Sequence, residues 1–146
     1  MTPRRTCRET VLKALFQCDT LGVFNSHGII EFFSHFTSVN DIEDEEPVAV
    51  PDSEFARSLA LGVVTEQAAV DGAIALAATN WSVARMSIVD RNILRLGAYE
   101  LLFREDTPSK VVINEAIEIA KSFAADESPK FINGVLDRVA ISRRGQ

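Results

Sequence analysis

A chain of 146 residues, 47% apolar and 25% charged, is long enough for one compact domain or two small lobes on a shared core, and too short for two large independent domains. A formal net charge of −6, with an isoelectric point near 4.9, excludes a protein that coats nucleic acid through bulk electrostatics alone. No run approaches the roughly 20 apolar residues of a membrane span, and no signal-type stretch follows Arg4 and Arg5, so the chain reads as soluble and cytoplasmic.

The charge is segregated. Residues 1–13 carry Arg4, Arg5, Arg8 and Lys13 against Glu9 alone, whereas residues 41–54 carry Asp41, Glu43, Asp44, Glu45, Glu46, Asp52 and Glu54 without a base. A partner selective for the basic end is the expectation. From Arg8 onward, Val11, Leu12, Leu15 and Phe16 recur at helical spacing, which predicts a first helix to about Thr20, broken by Gly22. On that helix the chain's two cysteines, Cys7 and Cys18, stand about 16 Å apart along the axis and cannot bridge. Ile29, Ile30, Phe32, Phe33 and Phe36 predict a second helix, with an extended segment as the competing reading, and the role of residues 22–40 stays open. Asn40 to Asp52 holds Pro47 and Pro51 and reads as an acidic loop. Ser53 is the expected N-cap of one long helix, striped by Phe55, Leu59, Val63, Val70 and Ile74 and reaching about Thr79.

Asn80-Trp81-Ser82 punctuates the chain, with Ser82 placed to cap a short turn. Asp90 to Phe103 is the next helix, carrying Ile93, Leu94, Leu96, Leu101 and Leu102, with Gly97 where a neighbouring backbone comes close. Thr107-Pro108 ends it. Ile113, Ala116, Ile117, Ala120 and Phe123 mark a sixth segment. Ser128 as N-cap and Pro129 at the first helical position announce the last, striped by Ile132, Val135, Leu136 and Val139. No alternating pattern competes, so the expected class is all-α, with about seven helices.

The supply of catalytic or ligating groups is thin. His27 and His35 belong to no metal-ligand pattern, the acidic loop lacks the ligand alternation of a calcium loop, and no glycine-rich phosphate loop occurs. The expectation is a protein that is not an enzyme and needs neither cofactor nor metal. Arg4, Arg5 and Arg8 on one helical turn could meet several phosphates, and Phe16, two turns beyond Arg8, could offer a ring to an unstacked base. On residue types alone, a solvated terminus and a core phenylalanine stay in competition with that reading.

Several stretches carry a resemblance. Arg4-Arg5-Thr6-Cys7-Arg8-Glu9 with Ala14-Leu15-Phe16 resembles the arginine-rich opening of the NusB family of bacterial transcription antitermination factors. So do Asn80-Trp81-Ser82, the block Asp90 to Leu102, Val112 to Lys121, and Ser128-Pro129-Lys130-Phe131-Ile132-Asn133-Gly134-Val135-Leu136-Asp137. The match spans nearly the whole chain apart from residues 22–52. It implies a single domain over residues 1–146, built as two packed three-helix bundles, with an N-terminal lobe of about 1–79 and a C-terminal lobe of about 80–146. It further implies binding of single-stranded boxA-type RNA of ribosomal RNA leaders together with NusE, a small-subunit ribosomal protein. The pair works within an RNA polymerase antitermination complex that keeps the polymerase processive, and some relatives self-associate, which adds a homodimer.

Carried over by position, Arg4, Arg5, Arg8, Phe16, Glu127, Lys130 and Phe131 are the implied RNA-binding residues, and Asp90 the implied contact to the basic partner. Phe16 stands where the family often has Tyr, and Glu127 where relatives often have Asp. Thr6 falls where some carry another arginine, so the resemblance implies weak RNA binding by this chain alone, raised when the basic partner docks. Asn133-Gly134 and Asn114-Glu115 are expected to be structural. The similar helical module fused to ribosomal RNA cytosine methyltransferases needs a large α/β domain that this sequence does not contain. A protein-binding scaffold without RNA binding differs in one respect: Arg4, Arg5 and Arg8 would then matter for no ligand.

Overall fold

The computed structural model describes residues 3–39 and 53–144, so the acidic stretch 41–52 and the side chain of Ser53, with the loop and cap expected there, lie outside the described residues. Seven α-helices are described: α1 (Pro3–Leu21), α2 (Ser26–Val39), α3 (Ser53–Thr65), α4 (Gln67–Ala77), α5 (Ile88–Phe103), α6 (Ser109–Phe123) and α7 (Ser128–Arg144). A 3₁₀ turn, Val83–Arg85, lies between α4 and α5. The described residues contain no strand. They form two compact units, Met1–Thr65 and Glu66–Gln146.

In the N-terminal unit α1, α2 and α3 pack pairwise around the fully buried Leu15, Ile29 and Leu59. Gly22 stops α1 through its backbone. At φ +73° it donates its N–H to Asp19 O (3.3 Å), and Val23 donates to Cys18 O (2.9 Å), the paired bonds that satisfy the last carbonyls of a helix. Asn25 then starts α2 by accepting the Gly28 N–H on Oδ1 at 2.9 Å. Cys7 and Cys18 are both buried and unbridged, and burial pushes the Cys18 thiol pKa up.

In the C-terminal unit α5 packs on α4, α6 and α7, and α7 in turn packs on α4 and α6. Ile74, Leu94, Leu101, Ile132 and Leu136 are among the large fully buried side chains at its centre. The sequence predicts one helix through residues 53–79, but the chain breaks at Glu66. The break follows Val63-Val64-Thr65, three β-branched residues whose restricted χ1 lowers helix propensity. Beyond it Val70, Ile74 and Ala77 are buried on a helix that packs with α5 and α7. The chain passes from the first compact unit to the second at Thr65–Glu66, and the second unit holds α4 to α7.

One buried ion pair fixes α4 to α5. Arg95 donates from Nε to Asp71 Oδ1 (2.9 Å) and from Nη2 to Oδ2 (3.1 Å), and its Nη1 reaches Asn92 Oδ1 (3.1 Å). The two-pronged geometry holds direction as well as charge. Among the described residues no buried side-chain nitrogen or oxygen lacks a partner. Gly97 allows a close approach as expected, but by a side chain: a Cβ there would stand 2.8 Å from Leu136 Cδ1 of α7.

Candidate nucleic-acid interface

The first group of predicted residues lies on α1. Arg4 is exposed, and its guanidinium carbon stands 3.7 Å from the centroid of the Phe55 ring on α3. Arg8, one turn on, is 6.0 Å from the same centroid and only 4% exposed. Spacing i,i+4 puts both on one ridge of the helix, and that ridge faces α3. Arg5 is half-buried and engaged. The three arginines expected to share one solvated turn thus divide. Arg4 stacks at the surface, whereas Arg8 has its charge drawn into the packing, where a guanidinium over a ring contributes about 0.5–2 kcal/mol depending on desolvation. Phe16 is 41% exposed, and eleven residues of helix bring it to nearly the same face as Arg5, about 16 Å along the axis. That large apolar ring in water is unneeded for the core that α1 builds from Val11, Ala14 and Leu15.

The second group lies in the C-terminal unit, at the start of α7 and the turns before α5. Helix α5 begins at Ile88 rather than at Asp90. Ser87 is its N-cap and its Oγ accepts the Asp90 N–H at 3.1 Å, so Asp90 is a first-turn acid on the favourable end of the dipole. Ser82 precedes the 3₁₀ turn as expected, without a side-chain capping bond. Phe131 meets Trp81 edge to face, with centroids 5.9 Å apart and planes at 69°. The two rings stand between two clefts. One, of about 270 Å³, is lined by Arg85, Asp90, Glu127 and the two rings. The other, of about 260 Å³, is lined by Asn80, Lys130, Gly134, Arg138 and the same rings. Glu127 and Asp90, expected to serve different ligands, share one cleft, and Lys130 lies on the other.

The arrangement offers an imbalance of sign: a cleft with two carboxylates and one cation, Arg85, beside a cleft lined by two cations and no carboxylate, separated by aromatic faces. The first suits a basic side chain of a protein and the second suits a phosphate. Elsewhere, His27 is exposed and 3.7 Å from Glu31, and among the described residues no group of three His, Cys, Asp or Glu is placed to hold a metal.

The pattern of the NusB family matches residues 5–141. The chain belongs to the NusB family. The transcription antitermination protein NusB of Desulfitobacterium hafniense is 44% identical over 139 residues, spanning 95% of this chain and 88% of that protein. That of Geotalea daltonii is 42% identical over 142 residues, spanning 97% of each. Among solved structures, T. maritima NusB is similar with a TM-score of 0.76 at 38% identity, over 96% of this chain and 92% of that one. A chain from the crystal structure of antitermination factors NusB and NusE in complex with dsRNA is similar with a TM-score of 0.77 at 27% identity, over 97% and 98%.

Within this NusB-family chain the residue that the sequence reading does not count as a binding residue is Trp81, which serves there as punctuation between helices and as part of the family resemblance. Its signal was present: it is the chain's one tryptophan, in a turn, and it is 59% exposed. The expectation for Asn133-Gly134 is a structural role; at Gly134 close packing is not the reason, since an added Cβ would meet nothing within 4 Å.

Proposed function

We propose that this chain is a transcription antitermination factor that binds single-stranded boxA-type RNA of ribosomal RNA leaders together with NusE, and so helps an RNA polymerase complex stay processive. The observation that carries the reading is the pair of oppositely charged clefts flanking Trp81 and Phe131, in a family member whose relatives bear the antitermination name. Lys130 meets a phosphate and Phe131 stacks on a base, while Asp90 with Glu127 takes a basic side chain of the partner. On α1, Arg4 and Arg5 meet phosphate and Phe16 stacks. Arg8, being buried, holds Phe55 and Arg4 in place. The chain works as a binding factor without catalysis, in the cytoplasm. No described helix is long and apolar enough to cross a membrane. Self-association, as in some relatives, is a further state to be read from sedimentation.

The test is fluorescence anisotropy of labelled boxA-type RNA against a scrambled control, with and without NusE, at two salt concentrations. The expected result is weak binding by the chain alone, selective binding that tightens at least tenfold with NusE, and an affinity that falls as salt rises. NusE binding without selective RNA binding under any condition would replace this reading with that of a protein scaffold.

A further inference from the structure

Trp81 has no evident structural reason to be where it is. It follows the turn after α4, with its backbone N–H donated to Ala78 O at 3.0 Å. More than half of the largest apolar side chain is left in water, although full burial of such a ring is favourable by several kcal/mol. Its one ring contact among the described residues is the edge-to-face pairing with Phe131. On the basic side of the pair, Arg138 donates Nη1 to Ala77 O at 3.1 Å, and among the described residues neither it nor Lys130 has an ion-pair partner. Gly134 forms part of the same wall. A glycine inside a helix costs about 1 kcal/mol relative to alanine, and here no neighbour requires it, since the space beside it is open. What the glycine does is keep that wall free of side chain. A polar cleft of about 260 Å³ lies below the roughly 300–1,000 Å³ of clefts that enclose a drug-sized ligand, a scale for one nucleotide rather than a longer segment.

Resting on the RNA-binding reading above, we propose that Trp81 and Phe131 form a two-ring platform for one unstacked base of the bound RNA, whose adjoining phosphate lies in the Lys130–Arg138 cleft. In the cleft opposite, Asp90 and Glu127 outnumber Arg85, which makes it the less favourable side for phosphate and so sets the side from which the strand crosses the rings. Asn80 supplies an amide at the cleft edge for the base or ribose. Stacking of this kind tolerates any base, so the subsite adds affinity and register, and selectivity comes from contacts to base edges.

Because Trp81 is the chain's one tryptophan, its emission reports on this subsite directly. We would titrate the complex with NusE using single-stranded boxA-type RNA, following tryptophan emission and, in parallel, the anisotropy of end-labelled RNA. Trp81→Phe serves as the blank for partner emission, and its thermal melt checks the fold. The platform predicts that Trp81 emission falls by about half or more along the anisotropy curve and that acrylamide quenching weakens. It also predicts that Trp81→Ala lowers RNA affinity about tenfold whereas Trp81→Phe stays within about threefold. Normal RNA anisotropy with unchanged Trp81 emission would overturn the platform and leave RNA binding standing. No anisotropy change at all would remove RNA binding and the platform with it. Were Trp81→Ala to unfold, the emission curve and the Phe variant decide.

Discussion

The two candidate interfaces use the same residue chemistry in opposite ways. On α1 the cations are partly consumed by packing: Arg4 lies over Phe55, and Arg8 is buried beside the same ring. In the C-terminal unit the aromatics pack on each other instead, edge to face, and Lys130 and Arg138 line a cleft without an ion-pair partner among the described residues. An arginine near an aromatic is therefore as much a structural element as a ligand-binding one, because its flat, weakly hydrated guanidinium stacks as readily as it forks. A lysine, with its compact and strongly hydrated charge, stays in water.

That contrast is most severely tested through the scaffold of the second interface. Asp71→Ala leaves the nearly buried Arg95 guanidinium without its carboxylate, and a loss of about 2–4 kcal/mol in urea-denaturation free energy is expected. That is about 1 kcal/mol below the usual range for breaking a buried pair, because Asp71 stays a quarter exposed. An unchanged midpoint would mean that α4 is held to α5 by apolar packing alone. Next in size, Arg8→Ala should cost about 1–2 kcal/mol of stability, against less than about 0.5 for Arg4→Ala, because only Arg8 fills buried space. Equal melting shifts for the two variants would erase the distinction drawn between them. Smallest is Lys130→Ala, which should leave the melting temperature within about 1 °C. It should weaken RNA binding a few-fold and reduce the slope of log affinity against log salt by about one. A shift in stability with no change in that slope would make Lys130 a packing residue like Arg8.

Much of the fold was legible where backbone chemistry acts locally. Gly22 ends α1, and α7 opens at Ser128-Pro129 with Ser128 its first helical residue rather than its N-cap, because a left-handed turn and a fixed φ are properties of single residues. The break between α3 and α4 was not, since the apolar stripe runs through residues 53–79 without interruption in period, and periodicity does not reveal that its two halves pack in different units. At the interfaces, residue types were readable and their exposure was not. Arg8 reads like Arg4, and Trp81 reads like punctuation, until α3 and α7 bring Phe55 and Phe131 against them.

By itself the sequence determined the helical class, most helix ends, the family and the set of charged and aromatic residues available for binding, because those depend on near-neighbour spacing and residue chemistry. Only the tertiary structure decided which arginine is buried, that Asp90 and Glu127 share one cleft, and that Trp81 and Phe131 divide that cleft from a basic one. Exposure and juxtaposition are set by contacts between helices dozens of residues apart in the chain, and no local pattern encodes them.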